Sequence, residues 1–163
     1  KPLGMKSLYS PISREEIHPF LVEAYTFKEG AYRSNDDIDL SLGRRIFTKA
    51  QDLMIWLEAQ GGAALLPDSL GRLLYQNQVA SISKNNSYSY GWVPYEDSAH
   101  YEMGDLDIYP SYLIHGGSTG GFQSLAVSVN NGETNLVILS NNGDSKGLFA
   151  EAQRILKAIY HEN

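Results

Sequence analysis

The sequence predicts an α+β fold: a first region over residues 1–86, mostly helical and looped, followed over 87–163 by antiparallel strands and a closing helix. Three observations predict it. Apolar residues recur at helical spacing after Thr48 and again between Gly147 and Tyr160. Between those stretches the chain turns to short apolar or aromatic runs parted by Gly, Asn and Ser. Two of these runs flank Asn130-Asn131-Gly132, and Asn-Gly is a strong hairpin signal.

From Lys1 to about Gly43 the chain is mixed and turn-rich, interrupted by Pro2, Gly4, Pro11, Pro19 and Gly30. Ser13 with Glu16 three residues on forms a capping box and predicts a short helical turn. Thr48, with Gln51 in the same relation, is the expected N-cap of the first strong helix. Leu53, Trp56 and Leu57 stripe that helix, and Gly61-Gly62 ends it. A second helix is expected from Pro67-Asp68, with Leu70, Leu73 and Leu74 on one face.

After Ser83-Lys84-Asn85-Asn86 the period changes. Tyr88, Tyr90 and Trp92 alternate with Ser89 and Gly91, as in a strand with one aromatic face. Tyr101–Met103, Tyr109–Ile114, Phe122–Val129 and Thr134–Ser140 read as further strands. The last helix turns Leu148, Ala152, Ile155, Leu156 and Ile159 inward.

Composition excludes several functions. A 163-residue chain that is 42% hydrophobic and 20% charged has room for one domain with a real core. No apolar run approaches the ~20 residues that a spanning helix needs. A net charge of -6 argues against a phosphate-backbone footprint, so nucleic acid is not an expected partner. With no cysteine there is neither a disulfide nor a thiolate ligand. His18, His100, His115 and His161 lack metal-ligand spacing, and no metal or other cofactor is expected. Asp36-Asp37-Ile38-Asp39 lacks the glycine and glutamate of a calcium loop and reads as a solvated bend.

The segment with the most chemistry is His115-Gly116-Gly117-Ser118-Thr119-Gly120-Gly121-Phe122. Its glycines strip side chains from backbone that must approach something closely, and exposed N–H groups beside a histidine suit a developing oxyanion. By composition alone, a glycine-rich connection between two strands, with His115 capping the edge, is the preferred reading.

This segment, followed by a Leu-Ser-Asn-Asn strand end and a final helix, resembles the serine β-lactamase and penicillin-binding-protein-like family, in its class C-like His-x-Gly branch. Pro2-Leu3-Gly4-Met5, Thr48-Lys49-Ala50-Gln51-Asp52-Leu53 and Tyr90-Gly91-Trp92 resemble other motifs of that family, in the family's order. The resemblance spans nearly the whole chain and implies the C-terminal part of a β-lactamase/transpeptidase-like fold. It implies that His115 lines the cleft and binds or polarises substrate, and that the Ser118 N–H is one arm of an oxyanion hole. Gly116, Gly117 and Thr119 would border the substrate. Glycine at 116 replaces a hydroxyl residue that can meet a substrate carboxylate, and His115 replaces the lysine of true β-lactamases, so a peptidase or esterase is as much implied as a β-lactamase.

The family's nucleophile is the serine of a Ser-x-x-Lys motif, with the tyrosine of Tyr-x-Asn handling protons. The strings Ser81-Ile82-Ser83-Lys84 and Tyr75-Gln76-Asn77 occur here in reversed order, and Ser81 follows a helix instead of starting one. The expectation is therefore that the nucleophile lies upstream of Lys1 and that this chain alone is inactive. The parent would form an acyl-enzyme on an amide, ester or β-lactam. The rival expectation is a non-catalytic module binding peptides or proteins in a degenerate cleft. The expected partner is the missing N-terminal half or a second copy, by edge-strand pairing or domain swap. The resemblance also implies a periplasmic or extracytoplasmic setting.

Overall fold

The computed structural model describes residues 3–10, 20–35, 46–61, 65–71, 73, 79–80, 87–95, 106, 108 and 111–160. In chain order the elements are β1 (Tyr25–Lys28), β2 (Ala31–Ser34), α1 (Ala50–Gly61), α2 (Asp68–Gly71), β3 (Val79–Ala80), β4 (Ser87–Tyr88), β5 (Val93–Tyr95), β6 (Tyr112–Thr119), β7 (Phe122–Val129), β8 (Thr134–Ser140) and α3 (Ser145–Tyr160). The centre is an antiparallel sheet in the order β5-β6-β7-β8. Helices lie on both of its faces, which is the α+β architecture the sequence predicts.

Alternation along the strands decides what each face buries. Tyr112 and Ile114 of β6, and Leu125, Val127 and Val129 of β7, turn to one face and pack with Leu148, Ala152 and Leu156 of α3. On the other face Leu113 meets Leu57 of α1 and Trp92, with Ala126 and Val137 beside them. Burying each such side chain stabilises the fold by about 1.5–3 kcal/mol, so this two-sided sheet is where the core sits. Tyr95 and Tyr112 add a stacked pair across the β5–β6 ladder, 4.7 Å apart and 8° from parallel.

The Phe122–Val129 and Thr134–Ser140 strands lie where the sequence puts them. The link between them is a single 3-10 turn at Asn130–Gly132 in which both asparagines and Gly132 take positive φ. That conformation is the one Asn and Gly adopt at least expense.

Several expectations are corrected. The Tyr88–Trp92 run is not one strand. Tyr90 (φ 46°) and Gly91 (φ 93°) form a two-residue turn, and Ser89 and Trp92 exchange backbone hydrogen bonds at 2.8 Å across it. Alternation of large and small residues looks the same in a strand and across such a turn. The first helix begins at Ala50, and the Lys49 N–H just before it is served from a distant segment. Ser7 Oγ accepts from Lys49 N at 3.0 Å, and Thr48 Oγ1 lies 3.1 Å from Ser7 Oγ. The second helix is one turn with Leu70 exposed, and Ile159 of the last helix is half exposed. The Tyr109–Ile114 strand instead runs Tyr112–Thr119, with residues 109 and 110 outside the description. The proposed turn at Ser13–Glu16, the Asp36–Asp39 bend, the strings at 75–77 and 81–84, and the 101–103 strand all lie outside the described residues.

The β1–β2 hairpin, turning at Glu29-Gly30, was not foreseen. It docks against the ends of the main sheet: Tyr25 N donates to Asn141 O at 2.7 Å, and Asn141 Nδ2 to Glu23 O at 2.8 Å. Among the described residues, no helix is long and apolar enough to cross a membrane.

Candidate functional site

The glycine-rich segment is strand, not connection. His115, Gly116, Gly117, Ser118 and Thr119 form the second half of β6, paired in register with Ala126, Leu125, Ser124, Gln123 and Phe122. Gly120 (φ 53°) and Gly121 (φ 92°) make a two-residue turn that closes the hairpin at Thr119 and Phe122. Closure by such a turn makes that pair a hydrogen-bonded one. Alternation back along β6 then aims the N–H and C=O of Gly117 and His115 at β7. Those of Ser118 and Gly116 point the other way.

On that other side β5 pairs only with Tyr112, Leu113 and Ile114. Beyond Ile114 the edge of β6 carries no strand among the described residues. The backbone groups of Gly116 and Ser118 are therefore presented outward along an open edge, and His115 to Ser118 are all exposed. An extended amide laid along this edge would find the same donors and acceptors that a sheet neighbour supplies.

The absence of side chains keeps this edge narrow. A Cβ on Gly117 would stand 2.6 Å from Ser124 Oγ, whereas one on Gly116 would make only ordinary contact with Phe149 on the α3 face. The Ser118 hydroxyl is on the α3 face too. It accepts a hydrogen bond from Gln123 Nε2 at 2.8 Å, and the same nitrogen donates to Gly143 O at 3.3 Å. What Ser118 offers the edge is thus its backbone. Gln123 was missed by sequence reasoning. Its signal was a polar residue at a position that alternation groups with Leu125, Val127 and Val129.

The His115 side chain lies on the α1 face. Its ring stands edge-on to Trp92, 6.5 Å away at 86°, and Trp92 is stacked on Trp56 at 6.1 Å and 17°. Together with Leu53 and Tyr90, these rings border an open pocket of about 260 Å³ beside the edge. Trp56 reads from the sequence as part of an apolar helical stripe, and Trp92 as part of an aromatic sheet face. The turn at Tyr90-Gly91 and the packing of α1 bring them to the site.

Asp52 anchors the chain just after Met5, at Lys6 and Ser7. Its Oδ2 accepts from Ser7 N (2.5 Å), Ser7 Oγ (2.7 Å) and Lys6 N (2.7 Å). The Ser7 backbone N–H and hydroxyl hold this carboxyl below the usual carboxylate range, against the opposing effect of burial. Among the described residues no cluster of His, Asp and Glu is arranged to hold a metal ion.

No family model matches the chain, and no curated protein matches it. Solved structures do. A D-stereospecific amidohydrolase from Streptomyces superimposes with a TM-score of 0.65 at 20% identity, over 94% of this chain and 45% of its own. A penicillin-binding protein from Bacillus halodurans gives 0.70 at 15% identity, over 95% and 45%. An octameric penicillin-binding-protein homologue from Pyrococcus abyssi gives 0.70 at 17%, over 97% and 35%. The chain thus has the α+β fold of penicillin-binding-protein-like structures, and it spans less than half the length of each of these three.

Proposed function

We propose that this chain is the C-terminal portion of a serine hydrolase of the β-lactamase and penicillin-binding-protein-like kind. In this reading it supplies the strand wall of the reaction chamber, and the attacking serine comes from a segment upstream. The observation that carries the proposal is the open edge of β6 from His115 to Thr119, with the Gly116 and Ser118 backbone groups facing outward.

The substrate is an amide, ester or β-lactam, laid antiparallel to this edge. Its scissile carbonyl carbon is attacked by the upstream serine oxygen, forming the C–O bond of a tetrahedral intermediate. The serine proton passes to a base on that same upstream segment. Negative charge collects on the former carbonyl oxygen, where the Ser118 N–H donates to it. The nucleophile's own N–H is the second donor. Removing one such donor typically slows acyl transfer by about 10²–10³, which sets the scale of what this strand contributes. His115, at the head of the edge, binds or polarises the substrate beside that carbonyl. Collapse expels the amine or alcohol, which takes up the proton, and water then cleaves the acyl-serine ester.

A protein containing both this chain and its upstream region is expected to hydrolyse D-amino-acid p-nitroanilides or short-chain esters, whereas the isolated chain stays inert. Turnover by the isolated chain that vanishes in Ser81→Ala would contradict the assignment of the nucleophile. Inertness of the longer protein toward amides, esters and a chromogenic cephalosporin alike would leave the edge as a binding surface only.

A further inference from the structure

The β1–β2 hairpin carries an aromatic strip in solvent. Its register sets Phe27 opposite Tyr32, so both rings share one face, 5.1 Å apart and edge to face at 62°. Phe27 is 62% exposed and Tyr32 55%. Phe20, Leu21 and Val22, which lead into the hairpin, are exposed as well. Alternation sends the charged Lys28 and Arg33 to the opposite face. Two strands alone bury too little to be stable in water, and an apolar face becomes favourable only with three or more. A strip of this kind marks an interaction surface.

The backbone supplies an independent observation. Glu29 (φ 52°) and Gly30 (φ 80°) form a two-residue turn, which makes Lys28 and Ala31 a hydrogen-bonded pair. The bond from Asn35 N to Ala24 O at 2.7 Å continues the same alternation. The N–H and C=O groups of Ala31 and Arg33 therefore face β1, and those of Tyr32 face outward. Among the described residues no strand lies on that side of β2. The hairpin presents this edge from a firm root. Tyr25 N donates to Asn141 O, and Tyr25 O stands only 2.7 Å from where a Gly121 Cβ would be.

We infer that β2 is a dimerisation edge, and that what occupies it is the β2 strand of a second copy of this chain. A two-fold axis at Tyr32 pairs that residue with its counterpart, each donating its N–H to the other's C=O. The two hairpins then form one four-stranded sheet, with both Tyr32 rings at the centre of one face and the Phe27 rings beside them. Charge selects the same register. With the axis at Tyr32, Arg33 falls opposite Ala31 of the other copy, whereas an axis at Arg33 sets two guanidinium groups directly across from each other. The five apolar side chains expose on the order of 500 Å², so two copies with their paired backbone approach the roughly 1,200 Å² at which specific interfaces begin. The inference does not depend on reading β6 as a substrate edge.

The chain has no cysteine, so a single introduced one reports the contact. The test uses the full 163-residue chain carrying Val137→Pro, which removes an outward N–H from the free edge of β8 and silences pairing there. Sedimentation velocity should show a monomer–dimer equilibrium that stops at two copies. Tyr32→Cys in this background should cross-link under mild oxidation, since Cα atoms of a hydrogen-bonded pair stand about 5.5 Å apart, within disulfide reach. Lys28→Cys lies on β1, three strand spacings or about 14 Å from its counterpart, and should stay uncross-linked. Phe27→Ser with Tyr32→Ser should raise the dissociation constant at least about tenfold. The melting temperature of the dilute chain should hardly move, because both rings are exposed. A chain that stays monomeric at every concentration overturns the inference. So does a dimer that the double serine variant leaves intact, or one that cross-links as fast through Lys28→Cys as through Tyr32→Cys. A monomer that instead sediments with phosphatidylcholine vesicles overturns it in favour of a lipid surface.

Discussion

Gln123 holds the Ser118 hydroxyl away from the open edge, through a 2.8 Å hydrogen bond from Nε2 to Oγ. Side chain and backbone of the same serine therefore face different tasks. In the proposed hydrolase, Ser118→Ala should leave kcat/KM within about threefold and lower stability by about 1 kcal/mol, from one lost hydrogen bond. Ser118→Pro deletes an N–H that serves no ladder among the described residues, so the sheet should survive while kcat of the proposed hydrolase falls about 10²–10³. Thermal melts beside steady-state kinetics check both. A Ser118→Ala enzyme as crippled as the proline variant would mean that the hydroxyl, not the N–H, acts.

Gly121 is where the β6–β7 turn meets the first hairpin. A Cβ there would stand 2.7 Å from Tyr25 O, and φ is 92°. Backbone on one side and a left-handed conformation on the other leave no cheap relaxation. Gly121→Ala should lose about 2–4 kcal/mol in urea unfolding, from strain and displaced backbone together. The comparison is Gly116→Ala, whose new methyl meets only ordinary contacts; it should lose less than about 1 kcal/mol. Equal losses would refute the close approach.

Among the described residues, the outer edge of β8 is a second open edge. Its sequence, Thr134 to Ser140, carries no charge and is apolar from Leu136 to Leu139, and helices cover both faces, which is the pattern of an inner strand. Alternation from β7 points the backbone of Asn135, Val137 and Leu139 outward. The isolated chain should therefore associate with itself in sedimentation velocity, increasingly with concentration. Val137→Pro should abolish that association without unfolding the monomer. Leu136→Pro, whose N–H faces β7, should instead destabilise by about 1–3 kcal/mol by leaving a buried carbonyl unpaired. Association unaffected by Val137→Pro would place the contact elsewhere.

Asp52 makes stability depend on pH. Its folded pKa lies below the unfolded value, so its contribution is complete above the ordinary carboxylate range and fades as pH falls through the folded pKa. Asp52→Asn should lower the melting temperature at neutral pH. It should also flatten the acid limb of the stability curve between about pH 5 and 2. An acid limb of unchanged slope in the variant would show that other carboxylates carry it.

Local chemistry determined a good part of this molecule from sequence. Strand alternation from Phe122 to Ser140, the turn at Asn130–Gly132 and the amphipathic last helix follow from side-chain period and backbone preference, which act between near neighbours in the chain. The His115–Thr119 segment was legible as the place for chemistry because four glycines in seven residues are an unusual concession. Contacts between distant segments decided the rest. Whether those glycines were strand or loop depended on pairing with β7. The Tyr88–Trp92 run broke at Tyr90 because a two-residue turn and a strand leave the same imprint on sequence. Trp56 and Trp92 came to border a pocket, and Gln123 came to turn Ser118, only through how α1 and the sheet pack. That packing is set by long-range burial, and no local pattern of residues encodes it.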